Sequence, residues 1–409
     1  MTDAALFEMP TDLEQRTDPY ELLNKLRDAG PVHHVRLRTG SPGWLVTGYD
    51  EVMAALHNPS LSNDPLHVIK DDPDSEMAKR KQRLLMVARS MVTSDQPDHT
   101  RLRGLVSRAY TARRVEQLRP RIQEITDELL DAVAPLGKAE MVEALAFPLT
   151  VAMMCELLGI PYEDRDEFQR WSVAMLKPSF DKSSVESAKV AHEALAGYLA
   201  KLAEQKREDP KDDLLSAMAA ARDDEQRLTD KELVSTAVLL FIAGHETSVN
   251  LLGTGLYNLL RHPDQLEALR ADQGLLPGAV EELLRYDGPV TVGLFRYTKE
   301  DVEIAGVRIP KGQQVVLSLG AANRDPSQFD RPDELDVTRE RNPHLGYGHG
   351  IHFCIGAALA RVEAQIAIGT LLDRLPDIRL AVPADEIWFR ASALRGVAEL
   401  PVSFTPQPA

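Results

Sequence analysis

Gly346-Tyr347-Gly348-His349-Gly350-Ile351-His352-Phe353-Cys354-Ile355-Gly356 packs four glycines and one cysteine into eleven residues, directly ahead of a helical pattern from Ala357 to Leu372. Glycines crowded in this way let backbone approach a bulky object and adopt angles that a side chain forbids. A cysteine at the mouth of a helix has its thiolate favoured by the partial positive charge of the N-terminus. The run therefore reads either as a loop presenting a thiolate to a flat cofactor or as a tight turn around a structural Cys354.

Upstream stretches narrow the choice. Ala243-Gly244-His245-Glu246-Thr247 sits inside a long helical pattern over 229–262. A glycine within a helix costs ~1 kcal/mol relative to alanine, so Gly244 needs a reason. The expected one is space beside the helix for a small ligand. Thr247 can return a hydrogen bond to the carbonyl of Ala243 and open the helix locally. Glu282 and Arg285, three apart, can pair on one helix face. His99 and Arg103, four apart, also share a face.

The run from Tyr347 to Gly356 resembles the haem-binding signature of the cytochrome P450 family, F-G-x-G-x-[HR]-x-C-x-G, and departs from it only at Tyr347. The resemblance implies haem b with Cys354 as axial thiolate ligand, in a loop shaped by Tyr347, Gly348, Gly350 and Gly356. The departure places a phenol near the sulfur, where a hydrogen bond or a water would shift the redox potential; the sequence leaves its effect open. Residues 243–247 resemble the family's [AG]-G-x-[DE]-T, which makes Thr247 and Glu246, with Gly244 and Ala243, the residues that deliver protons to bound dioxygen. His99 and Arg103 match H-x-x-x-R; together with Arg296 and His352 they are expected to pair the haem propionates, which a burying protein must neutralise. Glu282 and Arg285 match the family's buried E-x-x-R scaffold, completed by Arg339 or His344 beyond the meander Phe329–Asp336.

The implied fold is mainly α with small β-sheets, a single cytochrome P450 domain over 1–409, with haem between the Thr247 helix and the Cys354 helix. The implied reaction takes two electrons and two protons, activates dioxygen and inserts one oxygen atom into a C–H or C=C bond. No flavin or iron–sulfur motif is present, so ferredoxin and ferredoxin reductase are expected as external donors. Residues 97–121 hold seven arginines (101, 103, 108, 113, 114, 119, 121) against Asp98 and Glu116, a candidate docking patch for an acidic ferredoxin. By family analogy the substrate pocket takes residues from Leu84–Val92 (Leu85 and Val92 among them), from 165–190, and Leu239, Leu240, Ala243, Val292, Leu294, Ala393 and Leu394. These are apolar, and aromatic residues make up only 5% of the chain, so a bulky apolar natural product of macrolide type is expected, or else a terpenoid or steroid-like one. A haem-based gas sensor without turnover is the alternative from another class.

Composition agrees. The 409 residues carry 47 basic against 63 acidic side chains, a formal charge of −16. That excess argues against nucleic acid or an anionic membrane as partner. Two cysteines make no disulfide framework and fit a reducing cytoplasm; Cys155, in an apolar run, reads as a small buried hydrophobe. No signal peptide or run of ~20 apolar residues is seen, so a soluble chain is expected; a monomer is the expected state by resemblance to the family. Helices are expected at 18–29, 50–57, 99–110, 114–135, 140–158, 163–176, 184–206, 211–221, 229–262 and 278–286, with strands near both ends and over 294–319.

Overall fold

The computed structural model describes residues 6–10, 18–37, 40–65, 90–176, 182–220, 222–223, 226–390 and 394–407. The chain opens with β1 (Phe7–Glu8), α1 (Tyr20–Ala29), the hairpin β2 (Val32–Arg36) and β3 (Pro42–Val46), α2 (Tyr49–His57) and β4 (Leu61–Ser62). A helical body follows: α3 (Asp98–Ala109), α4 (Ala112–Val133), the short strand β5 (Lys138–Glu140), α5 (Phe147–Leu158), α6 (Arg165–Leu176), α7 (Lys182–Glu208) and α8 (Leu214–Ala220). The ribbon β6 (Arg222–Asp223) and β7 (Gln226–Arg227) leads into α9 (Asp230–Arg261), α10 (Pro263–Ala271) and α11 (Leu276–Asp287). Then come β8 (Leu294–Thr298), β9 (Val302–Ile304), β10 (Val307–Ile309), β11 (Gln314–Leu317), α12 (Leu319–Ala322), α13 (Ala357–Arg374), β12 (Arg379–Leu380) and β13 (Pro401–Ser403).

The fold is mainly α with small sheets, as the sequence implies. α9 is its axis. Thr229 Oγ1 accepts from Glu232 N at 3.2 Å, while Glu232 Oε2 accepts from Thr229 N at 2.8 Å. This reciprocal cap satisfies two of the donors that a helix start leaves open. Beyond it, most of the apolar residues from Leu233 to Leu259 are buried in the largest apolar cluster, against α5 and α13. The N-terminal strands join the 294–317 segment in one six-stranded sheet, in the order β1-β2-β3-β11-β8-β4, with β3 and β11 parallel. The β9–β10 hairpin turns at Ala305 and Gly306, whose φ values of +50° and +77° suit the twist of a two-residue loop.

One expected helix is not continuous. The stretch 140–158 opens as strand β5, passes through a π-helical turn over Val142–Ala146, and becomes α5 only at Phe147. Glu140 is the cause: its carboxylate accepts from Val142 N and Glu143 N, and also from Leu400 N across the β5–β13 pair. The β6–β7 ribbon, with only two residues per strand, was too short to read. Among the described residues no helix is long and apolar enough to cross a membrane.

Candidate active site

The cysteine loop is built on glycine. Gly348 and Gly350 have φ of +68° and +72°, and Gly348 N donates to Leu345 O at 2.7 Å. Cys354 N then donates to Tyr347 O at 2.9 Å, which aims the sulfur at the start of α13. Cys354 is open to a cavity yet deep inside the protein. Burial pushes its thiol up, against the backbone N–H groups of Gly356 and Ala357 and the cations Arg103 and Arg361, which hold it down. Gly348, Gly356 and Tyr347 line the cavity; Gly350 does not, because a Cβ there would lie 3.2 Å from Leu56 O, on the α2 side. The Tyr347 hydroxyl is buried without a hydrogen-bond partner among the described residues, so it makes no direct bond to the sulfur.

The cavity holds about 1380 Å³ of atom-free space, its open mouth included. Its wall opposite the loop is α9. Thr247 Oγ1 donates to Ala243 O at 2.6 Å, the back-bond that the spacing predicts, but α9 runs through as unbroken α-helix rather than opening. Ala243, Gly244 and Thr247 line the cavity. The space that Gly244 leaves is taken by Met154 of α5, whose Sδ lies 2.5 Å from where a Cβ would stand. Helix packing, not room for a ligand, is therefore what requires this glycine. Glu246 is buried and off the cavity wall. It faces Arg390 electrostatically.

Two neighbours of this motif were not legible in the sequence. His245 is fully buried; its Nε2 pairs with Ser172 Oγ of α6 at 2.5 Å, and burial pushes its pKa down to about 4. Ser248 lines the cavity and hydrogen-bonds Glu363 of α13, a carboxyl whose burial pushes its pKa up to about 8. A buried acid nine residues past a cysteine carries no local signal; only the helix crossing brings it to Ser248.

Four basic side chains meet at one end of the cavity. Arg103, Arg296 and His352 line it, and His99 lies behind, its ring 4.1 Å from that of His352. His99 is buried with both ring nitrogens unpartnered among the described residues. Burial first, then His99, Arg296 and Arg103, push the pKa of His352 down to about 3; Asp95 is the acid that opposes them. Burial likewise brings Arg296 down to about 10. Arg103 Nη2 also donates to Phe353 O at 2.5 Å, tying α3 to the cysteine loop. The guanidinium charges of Arg103 and Arg296, partly desolvated beside an apolar cavity, fit a ligand with paired anionic groups, to which the imidazoles can add N–H donors. An apolar cavity of this size with a thiol on one wall fits a flat macrocycle with a metal at its centre, which would hold the thiol deprotonated. The residues present thus fit haem.

Of the expected substrate-pocket residues, Met91, Val92, Leu239, Leu240, Ala243 and Leu294 line the cavity. Val292 does not; it packs against the clusters around Leu26 and Tyr20, and Gly293, at φ +139°, breaks the alternation so that Val290 and Leu294 face inward instead. Leu394 is also off the wall, as are the described side chains of α6, whereas Leu251 and Leu319, which were not expected, are on it. Leu85 and Ala393 lie outside the described residues.

The scaffold pair is closed. Arg285 Nε and Nη2 donate to Glu282 Oε2 and Oε1 at 2.7 and 2.8 Å, both side chains fully buried. Arg339 Nε is the third member, 3.1 Å from Glu282 Oε2; His344 instead pairs with Glu281. The arginine-rich stretch is less free than expected. Arg101 pairs with Glu232, Arg114 with Asp212, Arg119 with Glu116, and Arg121 with Glu124 and Glu156. Arg113 is exposed.

Residues 40–376 match the family model for cytochrome P450. Cytochrome P450 107B1 of Saccharopolyspora erythraea is 46% identical over 91% of this chain and 92% of its own. Vitamin D(3) 25-hydroxylase of Pseudonocardia autotrophica is 44% identical over 96% and 95%. The solved structure of the bacillaene polyketide synthase cytochrome P450 PksS of Bacillus subtilis superposes with a TM-score of 0.89 at 40% identity, covering 97% of this chain and 98% of that one.

Proposed function

The chain belongs to the cytochrome P450 family of haem-thiolate monooxygenases, and from that premise we propose that it oxidises a bulky, largely apolar natural product of the polyketide or macrolide type. One observation carries the reading: a single apolar cavity has Cys354 on one wall and Ala243 with Thr247 on the other. When bound, the haem supplies dioxygen activation with two electrons from an external donor. Cys354 would be its ligand, and Arg103, Arg296 and His352, with His99 behind them, would hold the propionates. Kinship with a polyketide-synthase P450 supports the substrate class. A vitamin D(3) hydroxylase among the relatives keeps a steroid-like substrate as the second reading.

Thr247 is the proton-handling group that faces the substrate. Its hydroxyl proton is engaged by Ala243 O, so its oxygen lone pairs accept from a donor in the cavity, and to donate it must first leave that carbonyl. Glu246 supplies protons from the side of Arg390. Glu363, protonated at neutral pH by its burial, stands behind Ser248 as a second source. The aliphatic walls (Leu239, Leu240, Leu294) exclude water and orient the substrate. The electron donor is a ferredoxin with its reductase, in the cytoplasm, and the enzyme acts as a monomer. Whether the oxygen enters as a hydroxyl or an epoxide depends on the bond the substrate offers.

The test is Thr247→Ala, assayed with a compound that shifts the haem spin state of the wild type. Substrate affinity should hold while product per electron pair falls by about tenfold or more, the difference appearing as peroxide; proton transfer by a positioned group contributes at least that much. Unchanged coupling would remove Thr247 from the proton path.

A further inference from the structure

We propose that His57 and His349 form a binding site for a borderline divalent transition-metal ion, such as zinc, nickel or copper, on the outer face of the cysteine loop. His57 is the last residue of α2 and His349 stands in the glycine loop, 292 positions along the chain, yet His57 Nε2 lies 3.0 Å from His349 Nδ1. Their rings are 4.8 Å apart, and both residues are exposed.

The tautomers follow from the partners. His57 Nδ1 is 2.9 Å from Met53 O, and a carbonyl only accepts, so that nitrogen carries the proton. Nε2 of His57 is then a bare lone pair aimed at His349 Nδ1, which supplies the one shared proton. An imidazole whose other nitrogen donates to a backbone carbonyl is the usual form of a metal-bound histidine, because the carbonyl fixes both tautomer and ring orientation. On binding, the ion takes the place of the shared proton. His349 moves that proton to its outward Nε2, so both rings stay neutral and no proton is released. Two imidazole nitrogens on one ion at 2.0–2.1 Å in roughly tetrahedral geometry are about 3.3 Å apart, a few tenths of an ångström more than is present.

The site is held by backbone, not by chance rotamers. A Cβ on Gly350 would stand 3.2 Å from Leu56 O, so the loop next to His349 lies against the helix turn that ends in His57. No group of three or more metal-ligating side chains occurs among the described residues, so water completes the coordination and the site is an open one. Imidazole donors select zinc, nickel and copper over magnesium or calcium, which require oxygen. An ion here would clamp α2 to the loop that carries Cys354.

The experiment uses haem-loaded protein stripped with a chelator and titrated calorimetrically with zinc chloride, alongside His57→Asn, His349→Asn and the control His34→Asn. His34 is exposed and its ring stacks on Trp44 at 4.7 Å. The expected result is one zinc ion per chain, bound about tenfold or more weakly by each of the first two variants and unchanged in the control. All four proteins should give the same reduced carbon monoxide spectrum, so that loss of zinc is not loss of the loop. A wild type that takes up no zinc in saturable fashion, or variants at 57 and 349 that bind as the wild type does, would leave the pair as a plain imidazole hydrogen bond and overturn the proposal.

Discussion

Arg285 and Arg296 are both buried guanidinium groups, one on α11 and one on β8, and their surroundings differ in kind. All five donors of Arg285 are used: two bonds to Glu282, and bonds to the carbonyls of Asn323, Pro332 and Glu334. Glu282 in turn accepts from Arg339, Asn342 and Asp336 N. Among the described residues Arg296 makes one hydrogen bond, Nη1 to Phe295 O at 2.9 Å, and its neighbours Arg103, His99 and His352 are also basic. A buried charge with a closed circuit of partners is scaffold. Basic side chains gathered at a cavity with only the Asp95 carboxylate acting against them are where a counter-charge from outside belongs.

The contrast can be broken at its strong end first. Glu282→Gln leaves Arg285 and Arg339 buried without their anion, and removing one partner of such a pair costs ~3–5 kcal/mol. Denaturant unfolding should register that loss with or without haem. A change below 1 kcal/mol would mean that Arg285 is held by carbonyls alone.

His245 gives a sharper intermediate case, a buried basic group satisfied only in its neutral form. Phe147 of α5, Phe241 of α9 and Ser172 of α6 pack around it, and Arg390 is the charged group that acts on it. The unfolded chain takes up this proton near pH 6.5, the folded one only near 4. Between those values the unfolded state binds more protons, so stability present above pH 6.5 is lost as pH falls towards 4, up to about 3 kcal/mol in all. In His245→Phe the slope of stability against pH in that window should shrink by ~1 kcal/mol per pH unit. An unaltered slope would assign the acid sensitivity to other groups.

Arg296→Met should act in opposite directions on the two forms of the protein. Without haem it removes a desolvated cation and should be neutral or stabilising. With haem it removes a charge-assisted partner worth ~2 kcal/mol, so transfer of haem to apomyoglobin should speed up about tenfold or more. A variant destabilised equally in both forms would place Arg296 with Arg285 among the scaffold residues.

Legibility in the sequence follows the same division. The helices and the cysteine loop could be read because glycine, proline and apolar spacing act locally: Gly348 and Gly350 adopt left-handed angles where the loop needs them. Residues whose partners come from distant elements were unreadable. Arg339 against His344 could not be chosen, because only the path of the meander brings Arg339 to Glu282. In the sequence Gly244 suggests room for a ligand, whereas the contact that needs it is Met154 on another helix. The arginines of 97–121 looked free because Glu232, Asp212 and Glu156 approach from remote segments.

The smallest effect is expected at Tyr347, where the two regions come closest in character. Its ring is packed, with the Arg361 guanidinium 4.5 Å above it, and Arg361 is itself bonded to Glu281. Its hydroxyl, by contrast, is buried with no hydrogen-bond partner among the described residues. The ring thus belongs to a satisfied network and the oxygen does not. Tyr347→Phe keeps the ring and removes only the uncompensated group, whose desolvation costs ~1 kcal/mol or more. The unfolding temperature of the haem-loaded protein should therefore rise by about 1 °C, given an unfolding entropy of roughly 2 cal/mol/K per residue over a chain of this length. The reduction potential should stay put, because the phenol makes no bond to Cys354. A potential that moves, or stability that falls, would show that a water joins the phenol to the sulfur and that this departure from the family signature tunes the haem.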